Sequence, residues 1–139
     1  MGQDVPPELL TDVAGPEAYR PHLMAGTLWV ADDGGPVAFL AARVEDERLH
    51  IHELDVRQDR QGQGLGRRLL GHAADWARAQ GLRTMSLTTF RNIPWNAPFY
   101  AAFGFREWPE EEAPASVRQA LANERARGLR ERCAMVMEL

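Results

Sequence analysis

Three features of the sequence predict a mixed α/β fold on a mostly antiparallel sheet. Three strand-like runs follow one another between Thr27 and Val56, separated only by tight polar turns, the pattern of successive antiparallel hairpins. The third run changes the parity of its apolar residues part-way along, which requires an extra residue in that strand. After it come a glycine-rich turn, an amphipathic helix and another strand, a βαβ crossover that supplies a parallel pair. Hairpins followed by βαβ and then more α/β give a mixed sheet with a central bulged strand.

The elements follow in order. Residues 1–25 hold four of the nine prolines and little apolar periodicity. Pro16 to Ala25 is compatible with a short helix opened by Pro16 and ended by Gly26. Thr27 to Ala31 is the first strand, and Asp32-Asp33-Gly34-Gly35 is a strong hairpin turn. Pro36 to Val44 returns as the second strand, Glu45 to Glu47 turns again, and Arg48 to Val56 is the third. Leu49 and Ile51 lie on odd positions but Leu54 and Val56 on even ones, which places a β-bulge near His52-Glu53. Gly64 to Gln80 is a helix with Leu65, Leu69, Leu70, Ala73, Trp76 and Ala77 on one face, and Gly81 caps it. Leu82 to Thr89 is the next strand. A short helix beginning near Asn96 carries Tyr100 and Phe103 and ends at Gly104, and Phe105 to Trp108 is a strand. Ala115 to Arg127 is a charged helix with a thin apolar face (Val117, Ala120, Leu121), and Ala134 to Leu139 closes the sheet.

The chain has 139 residues, 45% hydrophobic and 26% charged, with no internal repeat or dividing linker. That is the composition and length of one globular domain spanning 1–139. With 16 Lys+Arg against 20 Asp+Glu, the net charge of −4 argues against a nucleic-acid partner. A single cysteine, Cys133, excludes an internal disulfide and a cysteine-based zinc site, and no metal is expected. Cys133 falls in the last strand as a small core residue. No apolar run reaches the ~20 residues of a membrane span, and no signal-peptide pattern opens the chain, so the expected location is cytoplasmic with no membrane partner.

The chemistry concentrates between Val56 and Leu70. A strand ends, Gly62, Gly64 and Gly66 stand on alternate positions, and a helix begins. Such a turn leaves several N–H groups unpaired at the positive end of a helix dipole, a site suited to a pyrophosphate, and Arg60, Arg67 and Arg68 add positive charge. Glycine spacing alone equally serves a tight strand-to-helix turn. No Lys-Ser or Lys-Thr follows the last glycine, which excludes a P-loop, and G-x-G-x-G is not the dinucleotide fingerprint G-x-G-x-x-G.

Gln61-Gly62-Gln63-Gly64-Leu65-Gly66, at the end of the strand closing on Val56, resembles the acetyl-CoA loop Q/R-x-x-G-x-G/A of the GNAT superfamily of N-acetyltransferases. Downstream, Tyr100-Ala101-Ala102-Phe103-Gly104-Phe105 resembles that family's Y-x-x-x-G-F. The resemblance runs from about Thr27 to Trp108. It implies acetyl-CoA as acyl donor, with Leu54 and Val56 offering backbone groups to the pantetheine arm and Gln61, Gly62, Gln63, Gly64, Leu65, Gly66 and Arg67 holding the pyrophosphate. It also implies direct acetyl transfer to the primary amine of a small molecule or peptide.

Direct transfer needs an unprotonated amine, a stabilised oxyanion and a proton for the departing thiolate. Tyr100 is the candidate general acid, since a phenol of pKa near ~10 can protonate a thiolate when held against it. For the general base, His50, His52 and Glu53 all lie at the bulge. Glu53 is preferred, and solvated polar side chains are the competing reading. Where family members often place a pantetheine-contacting asparagine, seven residues before the tyrosine, this chain has Ile93, and Asn96 or Asn92 stands in for it. Phe90, Trp95 and Phe99 suit either an acceptor pocket or the core. Glu110-Glu111-Glu112 suits either a cationic acceptor or a solvated face. Only 26 residues precede the first strand, where the family has a strand and one or two helices. The fold is therefore expected to be shortened at the N-terminus, which leaves a homodimer open. A non-catalytic acyl-CoA-binding module or sensor is the alternative, and a nucleotide-phosphate binder rests on the glycine loop alone.

Overall fold

A computed structural model describes residues 26–139; the predicted Pro16–Ala25 helix lies outside the described residues. The order is β1 (Leu28–Asp32), β2 (Pro36–Glu45), β3 (Arg48–Val56), a 3₁₀ turn (Gln58–Arg60), α1 (Leu65–Ala79), β4 (Thr84–Phe90), α2 (Ala97–Phe103), β5 (Arg106–Trp108), a second 3₁₀ turn (Glu110–Glu112), α3 (Ala115–Ala126) and β6 (Arg132–Glu138). These are the strands and helices the sequence predicts, in a mixed, mostly antiparallel α/β architecture. The chain divides into two compact units on either side of Arg83/Thr84.

In the first unit, β1, β2 and β3 form an antiparallel meander. Its first turn closes because Gly34 takes φ 73°, a left-handed conformation costly for other residues, and because Asp32 Oδ1 accepts the Gly35 N–H at 2.9 Å. The β2–β3 register runs Ala42 opposite Ile51 and Ala41 opposite Glu53, so His52 is the extra residue. The predicted bulge is therefore present, and it keeps Leu49, Ile51, Leu54 and Val56 on one face despite their parity. Helix α1 covers that face: Trp76 meets Trp29 edge-on with centroids 5.6 Å apart, and Trp29 stands opposite Leu40, itself opposite Leu54. The helix buries Gly66, Leu69, Leu70, Ala73, Ala74 and Ala77, with Leu65 and Trp76 half-buried beside them. The other face of β3 therefore carries Arg48, His50, Glu53 and Asp55.

The second unit is the antiparallel sheet β4–β6–β5 with α2 and α3. Helix α3 places Val117 and Leu121 against Ala113, Ala134 and Trp108. That apolar face is thin, and a buried carboxylate completes it: Glu124 Oε1 accepts Arg132 Nε at 2.9 Å and Oε2 accepts Thr88 Oγ1 at 2.8 Å. One side chain thus ties α3 to both β4 and β6. Arg132 also lies 4.4 Å from the Phe90 ring centroid. Cys133 is buried as a free thiol, and burial pushes its pKa up, so it is an inert core residue as predicted. Glu110 pairs with Arg125 at 2.8 Å on the exposed side of α3, which favours the solvated-face reading of the acidic run.

Removing one member of a buried ion pair leaves the other uncompensated. Glu124→Ala is therefore expected to lower unfolding free energy by ~3 kcal/mol in urea titration. An Arg125→Ala change, which breaks only the exposed pair, is expected to cost less than ~1 kcal/mol.

Candidate active site

The glycine loop begins with a brace. A 3₁₀ turn carries the chain off β3. Gln61 then donates its N–H to Gln58 O at 3.3 Å and its Nε2 to Val56 O at 3.2 Å. Gln61 therefore shapes the loop and engages the Val56 carbonyl, while the open amides begin one residue later. Gly62 (φ 83°) and Gly64 (φ 78°) are both left-handed, and Gly64 is the N-cap of α1. Their conformation turns the backbone so that the N–H groups of Gly62, Gln63, Gly64, Leu65 and Gly66 have no acceptor among the described residues. Arg68 is the first to bond back, to Gly64 O at 3.0 Å. Five open amides at the start of a 15-residue helix make an anion site without any cationic side chain. Gln61, Gly62, Gln63, Gly64 and Arg67 are exposed, Leu65 is half-buried, and Gly66, Leu54 and Val56 are buried.

The three candidate bases differ in setting. His52, the bulge residue, is exposed. His50 is buried, and burial lowers its pKa to about 4; nearby Glu45 opposes this, while Arg43 and Arg48 reinforce it. His50 is therefore neutral at pH 7 and a weak base. Glu53 is half-buried, and its neighbour on the same face is a residue the sequence reading missed. Asp55 is 5% exposed, and its carboxyl is pushed up to about 8 by burial, then by the hydrogen bond and negative charge of Glu53. At neutral pH Asp55 keeps its proton beside Glu53. The signal was present in the sequence: past the bulge, Glu53 and Asp55 are two apart and must share a face.

In the second unit, Tyr100 is 7% exposed on α2, with Phe99 and Phe105 edge-on at 5.1 and 5.7 Å. The Y-x-x-x-G-F pattern has a mechanical basis. Gly104 and Phe105 both donate to Tyr100 O, at 3.1 and 3.0 Å, closing the helix. Gly104 has φ 136°, and a Cβ there would lie 3.0 Å from Met137 Sδ. Asn96 precedes α2 and accepts Thr89 Oγ1 at 3.0 Å through Oδ1, so its side chain fastens the helix start to β4. Trp95 is half exposed. Among the described residues no cluster of three or more His, Cys, Asp or Glu is arranged to hold a metal, and no helix is long and apolar enough to cross a membrane.

A bulged strand leading into open amides at a helix start defines an α/β protein built to hold a phosphorylated ligand beside a strand. The family model described as "Acetyltransferase (GNAT) family" matches residues 4–105, and the chain belongs to that family. Solved structures share the fold. A GNAT-family acetyltransferase from Staphylococcus aureus Mu50 superposes with TM-score 0.70 at 18% identity, over 89% of this chain and 77% of that one. The ribosomal-protein-S18-alanine N-acetyltransferase of Escherichia coli gives 0.63 at 21%, over 91% and 89%. The N-acetylglutamate synthase of Neisseria gonorrhoeae, complexed with coenzyme A and N-acetyl-glutamate, gives 0.67 at 22%, over 89% of this chain. This chain spans about a third (32%) of that synthase.

The Asp55 setting has a consequence for stability. An acid whose pKa rises on folding, here from 3.8 to about 8, binds more protons in the folded state between those values. Its contribution is complete below pH ~4 and is lost as pH rises through ~8. Asp55→Asn should remove that loss. Between pH 5 and 9 the wild type should lose on the order of a few kcal/mol more than the variant, measured as urea midpoints. Parallel pH curves would contradict the assignment.

Proposed function

We propose that this protein transfers an acetyl group from acetyl-CoA directly to the primary amine of a small molecule or peptide. The observation that carries the reading is the bulge at His52 leading, within ten residues, into the five open amides of Gly62 to Gly66. Membership of an acetyltransferase family supports it. In this reading the amides and Arg67 hold the pyrophosphate of the donor. Gln61 keeps the loop in shape, and the backbone of Leu54 and Val56 runs along the pantetheine arm. Asn96 bounds the arm from its place ahead of α2.

The amine nitrogen attacks the thioester carbonyl, and the tetrahedral oxyanion collapses with cleavage of the C–S bond. Glu53 takes the proton from the amine, and Tyr100 gives one to the departing thiolate. Asp55, protonated beside Glu53, fixes that carboxylate and limits its ordinary solvation. A small-molecule or peptide acceptor draws on two relatives. The gonococcal synthase is complexed with an N-acetylated amino acid, and the E. coli enzyme is named for an alanine of a ribosomal protein.

Amine-dependent release of the CoA thiol tests the reading, with L-glutamate and an alanine-ended peptide as first acceptors. Tyr100→Phe and Glu53→Gln are each expected to lower kcat about 10²-fold. The acetyl-CoA Kd should stay within about twofold, because neither side chain holds the donor. Donor binding without turnover on any amine would favour the non-catalytic module.

A further inference from the structure

Three aromatic side chains between β4 and α2 suit either the core or an acceptor pocket, and the structure separates them. Phe90 lies under the Arg132 guanidinium at 4.4 Å, and Phe99 meets Tyr100 edge-on at 5.1 Å; both are half-buried. Trp95 is 50% exposed and, among the described residues, has no ring or hydrogen-bond partner. The other tryptophans are packed, Trp29 on Trp76 and Trp108 against the core under α3. The connection that carries Trp95 is nevertheless fastened at both ends. Arg91 donates its backbone N–H to Glu131 O at 2.7 Å, and Asn92 Nδ2 donates to Glu131 Oε2 at 3.2 Å. Glu131 supplies both acceptors from a left-handed backbone (φ 56°), an uncommon conformation for a residue with a Cβ. At the other end Asn96 donates its N–H to Ile93 O at 2.9 Å, and its Oδ1 accepts Thr89 Oγ1. Pro94 and Pro98 are exposed beside the indole and stiffen the backbone further. A held connection thus leaves a large apolar side chain in water, forgoing the burial that ordinarily fixes a tryptophan.

We propose that Trp95 selects the acceptor, its indole taking an aromatic or other apolar group carried next to the reacting amine. The proposal rests on the acetyl-transfer reading above, in which Tyr100 protonates the departing thiolate. The Tyr100 N–H bonds Asn96 O at 3.0 Å, so Trp95 stands one helical turn, ~5 Å, ahead of Tyr100 along α2. Side chains on a helix lean toward its N-terminus, which brings the phenol toward the end of α2 that Trp95 precedes. In the tetrahedral intermediate the amine nitrogen and the thioester sulfur are bonded to the same carbon, so the acceptor's nearest substituent falls within reach of the indole. An apolar substituent there covers the indole and regains the burial that the free protein lacks. A cationic substituent would find no unmatched carboxylate in this segment, since Glu107 and Glu131 are engaged by Arg91 and Asn92.

Steady-state kcat/KM with glycinamide, L-phenylalaninamide and L-argininamide tests the proposal, because the three acceptors share one α-amine and differ in the group beside it. The wild type is expected to use phenylalaninamide about tenfold better than either of the others, the range of one aromatic contact with its buried area. Trp95→Ala should bring phenylalaninamide to within about twofold of glycinamide, and Trp95→Phe should keep most of the preference. Calorimetric titration should leave the acetyl-CoA Kd of both variants within about twofold of the wild type, which separates an acceptor contact from a donor contact or a folding defect. Turnover of all three amides without a preference for phenylalaninamide would overturn the proposal and leave the acetyl-transfer reading standing. A preference for argininamide, a Trp95→Ala loss shared equally by all three acceptors, or weakened acetyl-CoA binding would do the same. Donor binding with no turnover of any amide would overturn both.

Discussion

The arrangement depends on one residue more than a regular strand allows. Side chains alternate strictly along β3, so a strand without His52 as an extra residue would send Leu54 and Val56 to the face now holding Arg48 and His50. Glu53 and Asp55 would then point under α1, where Leu40 and Trp29 pack. Burying two carboxyls in that apolar layer is prohibitive without partners. The bulge therefore allows a single strand to present an apolar face to α1 at both ends and an ionisable face opposite. Pairing with β2 resumes at Glu53 and runs on to Val56, so the strand reaches the glycine loop still held in the sheet.

Electrostatics are built almost entirely from fixed charges. The chain contains no lysine, so all 16 of its basic side chains are arginine. Arginine suits the bidentate pairs seen here, Arg91 with Glu107 and Arg125 with Glu110. Most are exposed and contribute little singly. The exceptions are the buried Glu124 network and the cluster in which Arg43 and Arg48 both bond Glu45, holding it near pKa 2 against the opposing effect of burial. Lysine-free composition also removes the side-chain amines that would make the chain its own acceptor.

Much of this was legible in the sequence because it rests on local rules. Asp32 to Gly35 dictates a hairpin, the parity change dictates a bulge, and alternate glycines ahead of an amphipathic run dictate open amides at a helix start. Tyr100 to Phe105 was legible for the same reason, since a helix end needs its glycine. What escaped depends on what covers a surface. Asp55 was not singled out, because its protonation follows from burial, which strand alternation alone does not encode. Glu124 looked like one more charge on a polar helix until β4 and β6 supplied Thr88 and Arg132. Asn96 lies one turn from its family counterpart, and only the structure shows it tied to Thr89.

The central claim is that the donor binds through backbone amides freed by the bulge and loop. Backbone amide NMR during titration with acetyl-CoA tests it most directly. The account predicts that the largest shift changes fall on Gly62, Gln63, Gly64, Leu65 and Gly66, with Leu54 and Val56 following. Saturable binding whose shifts leave those amides unmoved, or the absence of binding at millimolar acetyl-CoA, would contradict it.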